Sequence, residues 1–256
     1  MTEIDTTKPN AARIYDYMLG GDHNFEVDRQ AAEQMRKLFP SMQNIMRVNR
    51  WFLHTAVARL VEAQFTCFLD LASGLPTEGY VHDLAPSAKV VYNDRDPITV
   101  AYAKQILADN AQVKYLGFDL TTDFDHVLAE ANTFFNNQRL VAVSFVGIAY
   151  FLTDAQVITI LATLHRWCAE GSQIAISWGV GNAQDSNIKA ILESYTKMGS
   201  PLYVRSLEDV RTLLADWTIL DPGLQPLSVW VESGPWEVPG SGDSVGADMY
   251  GCIITK

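Results

Sequence analysis

The sequence predicts an α/β fold: an open, doubly wound sheet behind an N-terminal helical segment. Three observations predict it. From Phe65 onward, short apolar runs alternate with helical or loop sequence, and buried strands alternating with crossovers give a parallel sheet covered on both faces. Before Phe65 the apolar residues recur at helical spacing instead. At the C-terminus the period changes again, to two strand-like runs.

Pro9 opens a helical stretch that reaches Arg29 and is broken by Gly20-Gly21. AAEQMRKLF gives a second helix. A third, MQNIMRVNRWFLHTAVARLVEAQ, places Ile45, Val48, Phe52, Ala56 and Leu60 on one face. The predicted strands are TCFLDLA, KVVYND, VKYLGFD, LVAVSFVG and SQIAIS, with crossover helices in PITVAYAKQILADN and DAQVITILATLHRWCAE. LQPLSVWVES and DMYGCIITK read as two further strands. Their connector, GPWEVPGSGDSVGA, is rich in Gly, Pro and Ser and reads as a mobile surface loop. The expected division is a helical segment at 1–62 and an α/β unit at 63–256.

A chain of 256 residues, 48% hydrophobic, can bury a sizeable core. It has no apolar run of about 18 residues and no signal-like N-terminus, so a cytoplasmic location is expected. A net charge of −11 argues against nucleic acid and anionic membranes as partners. Small molecules are the expected partners, and the oligomeric state stays open. Cys67, Cys168 and Cys252 lack metal spacing and read as buried thiols, and no metal site is expected.

Ligands of open sheets bind beyond the carboxyl ends of the strands, which puts FLDLASG, VVYNDRD, GFD and the segment after SFVG on one rim. A dinucleotide fingerprint fits poorly, because Ala72-Ser73-Gly74-Leu75-Pro76-Thr77 keeps only the middle glycine and adds a proline. A P-loop is excluded, since no Gly-Lys-Ser/Thr follows. Three acids remain at three consecutive strand ends: Asp70, Asp94 and Asp119. Gly74 lets backbone approach a nucleoside, Asp94 suits ribose hydroxyls, and Asp119 suits an adenine amino group. Each acid alone reads equally as a cap or turn residue. Together they fit a ligand with ribose and adenine but no phosphate, S-adenosylmethionine.

The pattern resembles the class I methyltransferase fold. More narrowly, NAARIYDYMLGGDHNFEVDR at 10–29 is similar to the signature of an S-adenosylmethionine-dependent family found mostly in actinobacteria, long catalogued as a domain of unknown function. NRWFLHTAVARLVEAQFTCFLDLASGLPTEGYVHDLA and VVYNDRDP continue the likeness in register. The resemblance implies a seven-stranded, methyltransferase-type Rossmann-like sheet with its last strand, MYGCIITK, antiparallel and the N-terminal helices as a lid. It implies cofactor contacts at Asp70, Ala72, Gly74, Asp94, Arg95, Asp119 and Leu120, and lid contacts at Arg13, Tyr15, Tyr17 and Asn24. For the two tyrosines, packing of helix on sheet is an equal reading.

Two departures sit near the chemistry. The family usually carries Leu-His-Phe after the fourth strand and Ser-His after the fifth; this chain has Ala149-Tyr150-Phe151 and Ser177-Trp178. Both usual proton acceptors are thus aromatic here. One expectation is methyl transfer to an acceptor that needs no base. Another is a pocket rebuilt around the sulfonium, whose attraction to Tyr or Trp is worth roughly 0.5–2 kcal/mol. In that reading the chain resembles azetidine-2-carboxylate synthases: Tyr150 and Ser177 orient the cofactor's own amine toward Cγ, Phe151 and Trp178 line a dry wall, and 5′-methylthioadenosine leaves. A third expectation is a cofactor-binding module without turnover.

Overall fold

The computed structural model describes residues 6–76, 79–107, 110–197, 200–231 and 247–256. Three helices come first: α1 (Ala11–Leu19), α2 (Glu26–Leu38) and α3 (Met42–Glu62). Asn10 caps α1 by accepting from the N–H groups of Ala12 and Arg13, and Gly20 ends it at φ 89°, a conformation glycine adopts without strain. The predicted break at Gly20-Gly21 is therefore real. The helix expected to stop at Arg29 instead restarts at Glu26, because Asp28 accepts from the N–H of Phe25 and opens α2 there.

The α/β part runs β1 (Cys67–Leu71), α4 (Val81–Leu84), β2 (Lys89–Asn93), α5 (Pro97–Ile106), β3 (Val113–Leu116), α6 (Phe124–Phe134) and β4 (Ala142–Phe145). A 3₁₀ turn (Ala149–Phe151) leads to α7 (Asp154–Trp167), β5 (Gln173–Gly181), α8 (Ser186–Lys197) and α9 (Leu207–Leu213). The chain closes with β6 (Thr218–Ile219), β7 (Gln225–Pro226), α10 (Leu227–Val231) and β8 (Ala247–Thr255). The sheet order is β3-β2-β1-β4-β5-β8-β6, and β7 adds an eighth short strand beside β8. Pairing is parallel from β3 to β5, while β8 is antiparallel to β5. No helix among the described residues is long and apolar enough to cross a membrane.

One strand expectation is corrected. Among the described residues of LQPLSVWVES only Gln225–Pro226 pairs with β8, and Leu227–Val231 is helical. Leu227 and Trp230, three apart, are fully buried together beside Phe52 of α3, so a helical turn buries what a strand would have split between two faces. The connector at 234–246 lies outside the described residues.

Two apolar layers flank the sheet. Leu69, Leu71, Val143, Phe145, Ile174, Ile176 and Trp178 face α6, α7 and α9. Phe68, Val90, Tyr92, Ala142 and Ala175 face α3, α5 and α10. The buried face of α3 reads Asn49, Phe52, Leu53, Ala56, Val57 and Leu60, so the helix lies on the sheet and carries one polar residue into the core. The three cysteines are buried free thiols.

Gly251 of β8 lets this layer close, since a Cβ there would stand 2.6 Å from Leu227 and 2.7 Å from Phe52. Gly251→Val is expected to lower stability by about 1–3 kcal/mol through overpacking, read from chemical denaturation. An unchanged midpoint would show that α3 and α10 are not wedged against β8.

Candidate functional site

The strand order reverses between β1 and β4, and such a reversal opens a crevice at the carboxyl ends of the strands. Side-chain alternation puts Asp70 on the face of Phe68 and Ser144 on the face of Ala142. The two are register partners across the reversal, in a row Tyr92–Asp70–Ser144. Asp70 is 3% exposed, and its Oδ2 has no hydrogen-bond partner, nor has Ser144 Oγ. From above, α3 adds Asn49 Oδ1 and Arg50 Nη1, also buried and unpartnered. Buried polar atoms are ordinarily paired. Here an acid, a cation, an amide and a hydroxyl each keep a buried atom without a partner.

Burial pushes the Asp70 carboxyl up to about 7, although Ser144 and Arg50 pull the other way. Burial also works against the Arg50 cation, but Tyr80, Tyr15 and Asp70 outweigh it and hold its pKa above the ordinary value. Arg50 Nη2 donates to Tyr80 Oη at 2.9 Å, and the guanidinium lies 4.1 Å from the Tyr80 ring centre and 5.5 Å from that of Tyr15. This opposed acid and cation complement a zwitterion, such as the amino-acid end of a ligand.

The turn after β1 forms the next part of the rim. Ala72 has φ 55° and Gly74 φ 68°, both left-handed, and Ser73 N–H between them donates to Asn93 O at 3.0 Å. Gly74 N–H donates to Asp94 Oδ2 at 3.0 Å, and Asp96 N–H donates to Asp94 Oδ1 at 2.9 Å. Burial and the adjacent Asp96 raise the Asp94 pKa, with those two hydrogen bonds opposing. Tyr80 Oη donates to Ser73 O, and Tyr115 Oη to Gly74 O. Two aromatic hydroxyls thus brace the turn. Asp119 is more open; its carboxylate accepts from Thr121 and pairs with Arg95 at 3.3 Å. Leu120 beside it is buried in the layer under α6. Asp96 caps α5, as its place before Pro97 suggests.

The start of α1 also reaches this rim. Asn10 Nδ2 donates to Asp96 Oδ2, and a Cβ built on Gly74 would lie 3.8 Å from Ala12. Tyr15 Oη donates to Met46 O, leaving its ring beside Arg50. Arg13 is turned inward, pairing with Asp28 at 2.7 Å and donating to Lys8 O. Asn24 donates to Asp16 and to Gly21 O. Tyr17 donates to Glu33 of α2, on the side of α1 away from the crevice.

The four residues after β4 and in β5 do not form one wall. Ser177 is fully buried, and its Oγ accepts from Gly147 N–H at 2.9 Å. Trp178 is fully buried on the opposite face, in the layer under α7. Tyr150 packs against Gly179 and stands 4.9 Å from Phe151, ring to ring. Burial holds the Tyr150 hydroxyl well above its ordinary pKa, so it remains a proton donor.

Comparison with known proteins decides the family. A family described as S-adenosyl methyltransferase matches residues 1–250. The chain belongs to that family. A solved structure of a DUF574 family protein from Streptomyces avermitilis MA-4680 is similar at 26% identity and a TM-score of 0.81, over 99% of this chain and 100% of that one. A putative methyltransferase from Thermobifida fusca YX is similar at 26% identity and a TM-score of 0.85, over 99% and 97%. Magnesium protoporphyrin IX methyltransferase from Synechocystis PCC 6803, solved with bound SAH, shares the fold at 14% identity and a TM-score of 0.53, over 89% and 94%. No curated protein matches the chain. The protein is an S-adenosylmethionine-dependent transferase with the methyltransferase α/β fold.

Sequence reasoning missed Asn49, Arg50, Tyr80 and Ser144. A signal was present for the first: Asn49 sits three residues before Phe52 on the apolar stripe of α3. The pH dependence of cofactor binding checks the crevice. If Asp70 must ionise to hold an α-ammonium group, affinity rises about tenfold per pH unit up to near 7. It falls again above the α-amino pKa of about 7.7–8.0. Asp70→Asn is expected to remove the acid limb, as read by calorimetry across pH; a flat profile in the unaltered protein would refute the assignment.

Proposed function

We propose that the protein transfers the methyl group of S-adenosylmethionine to a small-molecule acceptor, holding the cofactor's amino-acid end in the crevice between β1 and β4. The observation that carries this reading is the open set of Asp70, Ser144, Asn49 and Arg50. Asp70 and Asn49 take the ammonium group, Arg50 the carboxylate, and Asp94 and the Gly74 turn the ribose. Asp119 and Arg95 border the adenine, and α1 closes over the rim with Tyr15 beside the crevice. Bound there, the cofactor supplies an electrophilic methyl on a positive sulfur.

The acid beside the amine also bears on the reaction. A carboxylate paired with an ammonium group keeps it protonated, and a protonated amine has no lone pair with which to close a ring. Ser177 Oγ already accepts from Gly147, and Trp178 is in the far layer. Both features favour methyl transfer. Tyr150, whose hydroxyl remains protonated and has no hydrogen-bond partner among the described residues, orients the acceptor by donating to it rather than by taking its proton.

A second reading rests on that same hydroxyl. A half-buried donor without a partner suits a neutral amine, and attack by that amine on Cγ breaks the Cγ–S bond. The products are azetidine-2-carboxylate and 5′-methylthioadenosine, with one proton lost to solvent.

Two measurements test these readings. Arg50→Gln is expected to weaken S-adenosylmethionine binding at least tenfold, since a charge-assisted hydrogen bond is worth roughly 1.5–3 kcal/mol; equal affinity would remove Arg50 from the site. Incubation with S-adenosylmethionine alone, followed by chromatography, is expected to give no 5′-methylthioadenosine. Its accumulation would replace methyl transfer with the cyclisation.

A further inference from the structure

Arg205 is 4% exposed, follows β5 and α8 in the chain, and belongs to neither apolar stripe. Its Nη1 donates to Ala149 O at 2.9 Å and its Nη2 to Leu152 O at 2.6 Å. These two carbonyls bracket Tyr150 and Phe151. Its Nε donates to Asp154 at 2.8 Å, at the first position of α7. The guanidinium lies 5.6 Å from the ring centre of Trp178, on the face of β5 opposite to Gly179, where the Tyr150 ring rests. The backbone adds to the grip. Tyr203 N–H donates to Tyr150 O at 2.7 Å, Arg205 N–H to Gly179 O, and Gly181 N–H to Arg205 O.

We propose that Arg205 is a positioning residue for the acceptor side of the site: by bridging two backbone carbonyls it fixes Tyr150 and Phe151 against β5. This rests on the reading that Tyr150 borders the reacting group. A planar guanidinium presents donors at a fixed separation, so it sets the spacing of the Ala149 and Leu152 oxygens and with it the pitch of the 3₁₀ turn. A lysine ammonium is a single point charge and does not hold two carbonyls in that geometry. The role is separate from cofactor binding, because Arg205 meets none of Asp70, Arg50, Asp94 or Gly74. It also accounts for Trp178: the indole supplies a flat, apolar floor under a buried cation.

The test uses the full chain labelled with 3-fluorotyrosine, the Tyr150 fluorine resonance being assigned by its loss in Tyr150→Phe. In Arg205→Lys the dissociation constant for S-adenosylmethionine is expected to stay within about twofold, the size of ordinary uncoupled effects. The Tyr150 resonance is expected to shift or broaden, and its response to S-adenosylmethionine to be lost. Asp154→Asn, a substitution at a largely exposed side chain, is expected to produce a smaller change of the same kind and carries the test if Arg205→Lys does not fold. An unaltered Tyr150 resonance in the variant that folds would overturn the proposal, as would a loss of cofactor affinity in parallel with it. A Tyr150 resonance that ignores the cofactor in the unaltered protein would overturn the placement of Tyr150 itself, whereas absent cofactor binding would strike at the zwitterion crevice.

Discussion

The organisation of this protein depends on one buried carboxylate at the point where its sheet reverses. Asp70 lies inside a strand, not at its end, and nothing pairs with its second oxygen. Holding it ionised near neutral pH costs the fold on the order of 4 kcal/mol, from a shift between the ordinary carboxylate value and about 7. The sign follows from the raised pKa: stability is greatest while the group is protonated and declines as pH rises toward 7. The apolar stripe of α3 offsets that cost by burying Phe52, Leu53, Ala56, Val57 and Leu60 on the sheet. The same stripe fixes where Asn49 and Arg50 descend. A ligand with an ammonium and a carboxylate group relieves the unpaired charges that folding leaves behind.

The rim around this crevice is held by a connected set of hydrogen bonds. Asn10 reaches Asp96, Asp96 N–H reaches Asp94, and Asp94 accepts from Gly74. The cap residue of α1 is thereby linked to the turn after β1 through three bonds. Tyr80 has a double part, bracing Ser73 and receiving Arg50. Arg50 of α3, Tyr80, the turn after β1 and the start of α1 are thereby joined in one set of contacts.

The region after β4 obeys a different constraint. Ser177 and Trp178 are neighbours in sequence, and strand alternation sends them to opposite faces of β5. Ser177 closes the Gly147 turn; Trp178 lies under Arg205. Only Tyr150 and Phe151 stand together, and the carbonyls on either side of them accept from Arg205. In the two solved relatives at 26% identity the same overall architecture is kept.

The sequence by itself determined the class of fold, most of its strands, the family and the cofactor. The fold follows from the alternation after Phe65, the cofactor from Gly74 and the acids at or near three successive strand ends, and the family from the resemblance carried by residues 10–29. It also determined that Asp96 caps a helix and that Gly20 ends one, since both depend on neighbours within four residues. The tertiary structure alone decided that Leu227–Val231 is a helix, because the choice rests on Phe52 and Gly251, distant in sequence. It alone decided which polar residues meet. Asn49 and Arg50 read as ordinary positions of an amphipathic helix until α3 is laid across β1 and β4, and Arg205 has no local signal at all. Side chains that act together here come from segments 20 to more than 50 residues apart, and a pattern within one segment carries no record of that encounter.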